Sequence, residues 1–224
     1  MLPIILVRGN LDQIITNQAG LYEGNLVRYF QIIFTKAKNL NLPYHNFRHM
    51  MHVVWLCYNA CEYYADRLNP REMRTLLIAA MFHDFDHRGS TGDDNLNIML
   101  AIRGIEKHIL PEDADSLREI ITIIQATEYP YKTPSDTLSL SAQIIRDADL
   151  SQALNAVWLQ QVIFGLAAEW KKKPIDVLKA QGAFHQSMKF VTDWGQKMWP
   201  QKAIDEKIDE ASKLLEILEM QPQK

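Results

Sequence analysis

Leu76 to Phe82 is an unbroken run of small and apolar residues, and it leads directly into His83 and Asp84. A helical segment that is apolar on every side is stable only when buried. Any fold of this chain must therefore carry an imidazole and a carboxylate into or beside its core. Buried polar groups need partners, and a cation held between nitrogen and oxygen donors is one such partner. In the helical reading His87 follows one turn after His83, and the Gly-rich, acidic stretch Ser90 to Asp94 is a turn. Two other places offer matching donors: His49 in Tyr-His-Asn-Phe-Arg-His (44–49), and an aspartate in Asp-Ala-Asp-Leu-Ser (147–151). Asp147 and Asp149 are two residues apart, on nearly opposite sides of a helix, and periodicity does not choose between them.

The remaining pattern is helical throughout. Leu26, Phe30, Ile33, Phe34 and Ala37 recur at helical spacing within Leu21 to Leu40, and the segment Asn39 to Pro43 breaks it. Tyr44 to Tyr64 is first polar and then apolar, with His45 and His49 four apart and His52 three further on. Asn69 and Pro70 read as the N-cap and first residue of the helix that runs to the His-Asp pair. A helix over Leu96 to Ile105 ends near His108 to Pro111. A new one restarts at Pro111 to Asp115, with Leu117, Ile120, Ile121 and Ile124 as its stripe. Tyr129 to Ser135 is a loop. Leu138 to Ala168 is largely helical and carries both aspartates. Lys171 to Lys173, before Pro174, read as a solvated helix end beside the negative pole of the dipole rather than as a phosphate site. Phe184 to Trp199 is aromatic-rich and stops at Pro200. Ile204, Ile208, Ala211, Leu215 and Leu218 form an amphipathic closing helix. Without an alternating strand pattern or an internal repeat, the expected fold is all-α.

With 224 residues, 47% of them hydrophobic and 23% charged, one domain spanning 1–224 is the natural count. A net charge of -3 without a basic face argues against extended nucleic-acid binding, though not against a single nucleotide. Cys57 and Cys61, the two cysteines, fit buried free thiols and a reducing cytoplasm. The opening MLPIILVRGN lacks the basic start and cleavage site of a signal peptide. No apolar run reaches membrane-spanning length, so no membrane association is expected.

His49, His83, Asp84 and one of the two later aspartates make a mixed nitrogen and oxygen set. It suits one or two divalent metal ions: Mn, Fe, Zn or Ni, with Mg in a wetter neighbouring position. Asp84 is placed to bridge two such ions. A metal-activated hydroxide is a nucleophile at neutral pH, and departure of a leaving group then needs an acid. His45, one turn before His49, is positioned to supply that proton.

The order His…His-Asp…Asp in a helical chain resembles the HD-domain metal-dependent phosphohydrolases. Within them, the local motifs resemble the catalytic domains of class I cyclic-nucleotide phosphodiesterases. Tyr44, His45, Asn46 and His49 match their Tyr-His-Asn-x-x-His motif. His83, Asp84, His87 and Gly89 match His-Asp-x-x-His-x-Gly, with Asn95 near a further Asn. Ile-Glu-Lys-His-Ile-Leu is similar to a Leu-Glu-x-His segment and places Glu106 and His108. Gln-Ala-Thr-Glu-Tyr is similar to Ala-Thr-Asp-Met and places Glu128. Ala-Asp-Leu-Ser (148–151) matches a metal-binding segment and selects Asp149 over Asp147. The likeness runs over residues 40–190, roughly two thirds of the chain.

The resemblance implies a single HD-type helical bundle with His49, His83, Asp84 and Asp149 as metal ligands. His45 would be the acid, with Asp84 and His87 beside the reacting centre. Tyr44, Asn46, Asn95, Glu106, His108 and Glu128 would be substrate-contacting or water-ordering groups. The family's purine site pairs a Gln with a Phe three residues later. The nearest counterpart is Gln186 and Phe190, four apart, which implies weak base discrimination. His52 stands where the family usually has Asp. The implied activity is hydrolysis of a small phosphoester, a nucleotide first of all, by metal-activated hydroxide. The same residues also suit a nucleoside monophosphate phosphatase, a di-iron oxygenase on an HD-like fold, or a non-catalytic nucleotide-binding protein.

Overall fold

The centre of the molecule is the helix that the apolar run demands. It spans Pro70–Phe82 (α4 in chain order), and every residue from Met73 to Phe82 is buried. Leu76, Leu77, Ile78, Met81 and Phe82 have no exposed surface. Each such side chain contributes about 1.5–3 kcal/mol relative to an exposed one, so this helix has no free face. Asn69 caps it, accepting from the Arg71 and Glu72 amides while the Glu72 carboxylate accepts from the Asn69 amide. Arg74, the one cation buried along α4, is held by a two-pronged pair with Asp113 at 2.7 Å, and Asp113 also accepts from the Tyr29 hydroxyl.

The structure, a computed structural model, describes residues 10–90 and 94–220. Thr91 to Asp93 of the expected turn, and residues 1–9 of the apolar opening, lie outside the described residues. The described residues form eleven α-helices and no strand, so the fold is all-α. Before α4 come α1 (Leu11–Thr16), α2 (Val27–Lys36) and α3 (Phe47–Tyr63). After it come α5 (Asn95–His108), α6 (Leu117–Gln125), α7 (Leu140–Leu150), α8 (Gly165–Glu169), α9 (Pro174–Ser187), α10 (Asp193–Met198) and α11 (Gln201–Glu219). Helices α2, α3, α5, α6 and α7 pack around α4, while α9 and α11 pair with each other. No described helix is long and apolar enough to cross a membrane.

Several boundaries differ from the sequence pattern, each for a local reason. The helix expected over Leu21 to Leu40 begins only at Val27. Gly20 and Gly24 take left-handed φ values of 64° and 67°, and the Asn17 amide bonds the carbonyls of Tyr22 and Gly24 to hold the chain in a turn. Helix α3 begins at Phe47, because the Asn46 side chain accepts from the Arg48 and His49 amides. His45 therefore lies before the helix rather than one turn along it. Helix α4 ends at Phe82, so His87 does not continue it; Asp86 is left-handed at φ 61° and turns the chain. The long helix expected from Leu138 to Ala168 is broken. Helix α7 gives way to a 3-10 turn at Ser151–Leu154 and an extended Asn155, followed by a π-helix at Leu159–Phe164 that runs into α8.

Candidate metal centre and adjoining cavities

Four donor atoms from three helix ends meet at one point. His49 comes from the first turn of α3, His83 caps α4, Asp84 follows it, and Asp149 lies in the last turn of α7. His49 Nε2 is 3.0 Å from Asp149 Oδ1, 3.3 Å from Asp84 Oδ2 and 3.3 Å from His83 Nε2. His83 Nε2 is 3.4 Å from Asp84 Oδ2 and 3.9 Å from Asp149 Oδ1. Donors about 2.1 Å from one ion stand roughly 3.0–3.4 Å apart when adjacent around it, and all but the widest of these distances fall there.

The hydrogen bonds behind the rings say what the cluster is for. His83 Nδ1 donates to the Ala80 carbonyl at 2.8 Å, and His49 Nδ1 donates to Gln152 Oε1. Gln152 is itself oriented by donating to Gln161 Oε1 at 3.0 Å. Both Nε2 lone pairs consequently face one another and two carboxylates. Asp84 Oδ2 is buried there without a hydrogen-bond partner among the described residues. A cation at the centre satisfies all four donors at once, and second contacts that fix the imidazoles are usual around metals. His49, His83 and Asp149 form a group able to hold a metal ion, and Asp84 completes the ring of donors. Burial pushes the His83 imidazole down, but the Asp84 and Asp149 carboxylates overcome that and hold it at about 9. The same neighbours that attract a cation thus hold a proton in its place.

His45 stands beside this cluster with a different set of contacts. Its Nδ1 is 2.5 Å from Glu169 Oε1, and Glu169 Oε2 accepts from the Tyr44 amide at 2.9 Å and the His45 amide at 3.1 Å. Burial opposes charge on His45, yet the Glu169 bond and the Asp84 and Asp149 carboxylates raise it above the ordinary imidazole value. His87 stacks on it with ring centroids 3.7 Å apart and takes the opposite course. Burial pushes His87 down to about 4, and its Nδ1 accepts from the Gly89 amide at 3.0 Å. One imidazole is pushed up and its neighbour down. Environments that separate two titratable groups in this way are typical of acid–base sites.

Two cavities open onto the cluster and share His45, Tyr129, Asp149, Trp170 and Lys172. The smaller, about 310 Å³, is polar and includes Asp84, His87, Asp94, Asn97 and Thr127. The larger, about 540 Å³, is lined by Tyr44, Tyr131, Val162, Leu166, Val177, Gln181 and Phe184 among others. Gln181 is buried, and its Oε1 has no hydrogen-bond partner among the described residues.

Not every expected residue lies here. Asn46 is the α3 cap, and Tyr44 walls the apolar cavity with its ring 5.1 Å from His49. Asn95 is exposed at the start of α5; Asn97 instead is buried, accepts from the Arg88 amide and lines the polar cavity. Glu106 is exposed on α5. His108 sits at its far end, 5.9 Å from the Phe85 ring, and Glu128 pairs with Lys132. None of these three lines either cavity. Gln186 is exposed, and Phe190 is buried in a stack on Trp199, so the pair expected to meet a base does not reach the site. Gln181 and Phe184 do, and they are three residues apart on α9. The spacing Gln-x-x-Phe was readable in the chain. His52 faces away, beside Trp55, and burial pushes it down to about 4. Sequence reasoning also missed Glu169, Gln152 and Trp170. No local pattern marks them, because their partners lie more than a hundred residues away or across a cavity.

An all-α frame carrying a two-His, two-Asp cluster, most of it buried, beside an imidazole held by a carboxylate has the make-up of a metal-dependent hydrolase site. In comparison with known families, residues 44–104 match the family model described as 3'5'-cyclic nucleotide phosphodiesterase. That stretch holds His45, His49, His83, Asp84 and His87. No curated protein matches the chain.

Proposed function

We propose that this chain is a phosphodiesterase-type hydrolase that cleaves a nucleoside phosphoester, a purine 3',5'-cyclic nucleotide first of all, with the help of divalent metal. The observation that carries the reading is His45, its Nδ1 held by Glu169, next to four converging donor atoms. His49, His83, Asp84 and Asp149 would hold the ion. A divalent cation in such a site supplies Lewis acidity to a phosphoryl oxygen and acidifies water. Every other part of the work falls to the chain itself. His45 has Nδ1 fixed on Glu169, which leaves its Nε2 proton to be given to the departing ester oxygen, a contribution of about a hundredfold or more. His87, neutral and stacked on His45, keeps that ring in plane. Tyr44 and Trp170 wall the space and shed water from it.

The base would enter the larger cavity. An amide meets the ring edge and an aromatic meets its face, and Gln181 with Phe184 provide one of each. The unpartnered Gln181 Oε1 supports this, because a buried acceptor without a donor costs about 1–3 kcal/mol and is relieved when a ligand N–H reaches it. Base discrimination is therefore strong in this reading, unlike the weak discrimination that Gln186 and Phe190 imply. Metal analysis and kinetics with cyclic AMP, cyclic GMP, nucleoside monophosphates and a nitrophenyl diester test it. A cyclic purine nucleotide should be preferred, and Gln181→Ala should erase the preference while leaving nitrophenyl diester cleavage in place. Equal rates on all substrates, or a preference lost in Gln186→Ala instead, would overturn the assignment.

A further inference from the structure

We infer that Lys172 is a positioning residue for the substrate's phosphate, and that it sets how strongly the site holds doubly charged phosphate groups. The inference rests on the phosphoester reading above and extends it to a residue outside the metal and acid machinery. Lys172 lines both cavities and is the only lysine or arginine to do so among the described residues. Its place is built, not incidental. Helix α8 ends in a left-handed Lys171 at φ 55°; the Lys172 amide then donates to the Ala167 carbonyl at 2.9 Å, and the Lys171 amide to Ala168. These two bonds close the helix end in the manner that fixes the following residue. The Lys172 ammonium stands 5.3 Å from the centre of the Trp170 ring, which is itself a wall of both cavities. Glu169, Trp170 and Lys172 thus reach the site from one short helix end.

The charge balance calls for such a group. Asp84, Asp94 and Asp149 face the polar cavity. One divalent ion offsets two carboxylates, and the His45 ring is already engaged by Glu169. A phosphate entering there meets residual negative charge unless a further cation accompanies it. Lysine acts on phosphate as a point charge on a flexible stem, so Lys172 can follow the group between the two cavities.

The test uses the full chain loaded with Mn²⁺. Calorimetric binding of adenosine 5'-monophosphate and of inorganic phosphate is measured at low salt and at about 0.5 M salt, where charges beyond a few ångströms are screened. It is accompanied by kcat and KM for the best phosphoester. Lys172→Ala should weaken binding of the monophosphate about fivefold at low salt, the scale of a solvent-facing charge contact of roughly 1 kcal/mol. The gap should narrow at high salt. KM should rise with kcat nearly unchanged, Lys172→Arg should restore binding, and the exposed Lys173→Ala should behave as the parent. Unchanged binding and KM in Lys172→Ala, or an equal loss in Lys173→Ala, would overturn the role of Lys172 alone. Failure of the parent protein to bind or cleave any of these phosphates would bring down the phosphoester reading, and this inference with it.

Discussion

Glu169→Gln isolates the contact that keeps His45 charged. In the parent, the Glu169 carboxylate takes three N–H groups: the His45 ring at 2.5 Å and the amides of Tyr44 and His45 at 2.9 and 3.1 Å. An amide retains an oxygen for the two backbone donors but has no charge to give the imidazolium. Hydrogen bonds to a charged partner are worth about 1.5–3 kcal/mol, and one pKa unit is about 1.4 kcal/mol. Loss of the charge should therefore lower the His45 value. The sign follows from the raised starting point: activity needs protonated His45, so it persists below that value and falls as pH rises through it. The alkaline limb of kcat should move to lower pH in Glu169→Gln. The assay is a pH–rate profile on an alkyl phosphodiester and on a nitrophenyl diester, whose leaving group needs no proton. The nitrophenyl profile should change much less. A uniform fall at all pH values and on both substrates would refute the argument and leave Glu169 as a loop clamp. Gly89→Ala should act on the same contact, because Gly89 has φ 66° and an added Cβ would lie 2.7 Å from Glu169 Cγ.

Two further outcomes follow from the cluster. Asp149→Ala should strip the metal, measured by elemental analysis. Asp147→Ala should keep it and instead lower Tm, since Asp147 accepts from the Val191 and Thr192 amides and the Thr192 hydroxyl and loses bonds of about 1 kcal/mol each. Chelated protein should lose stability as pH rises from about 6.5 through about 9, because the raised His83 value stabilises the fold only while the ring is protonated. Thermal melts with and without Mn²⁺ read this out, and a chelated protein whose Tm rises over that interval would count against the cluster's charge arrangement.

What the amino-acid sequence determined was the chemistry available and the frame that carries it. The apolar run before His83 forces a central helix by burial alone, and Asn69-Pro70 starts it through local hydrogen bonding. Those are short-range effects, legible wherever they occur. The same holds for Asn46, whose cap on α3 sets His49 in a first turn. What only the tertiary structure decided was which side chains meet. Asp147 and Asp149 are equivalent by spacing, yet one ties down the 191–192 turn while the other stands 3.0 Å from His49 Nε2. Glu106, His108 and Glu128 fit motif positions but face away, and Asn97 rather than Asn95 is turned inward. Glu169 reaches His45 across 124 residues because a π-helix and α8 fold back over the 43–44 loop, where Gly165 lies 3.1 Å from the Pro43 carbonyl at its would-be Cβ. Contacts of that length depend on how helices pack, and packing is a property of the whole apolar surface rather than of any local pattern.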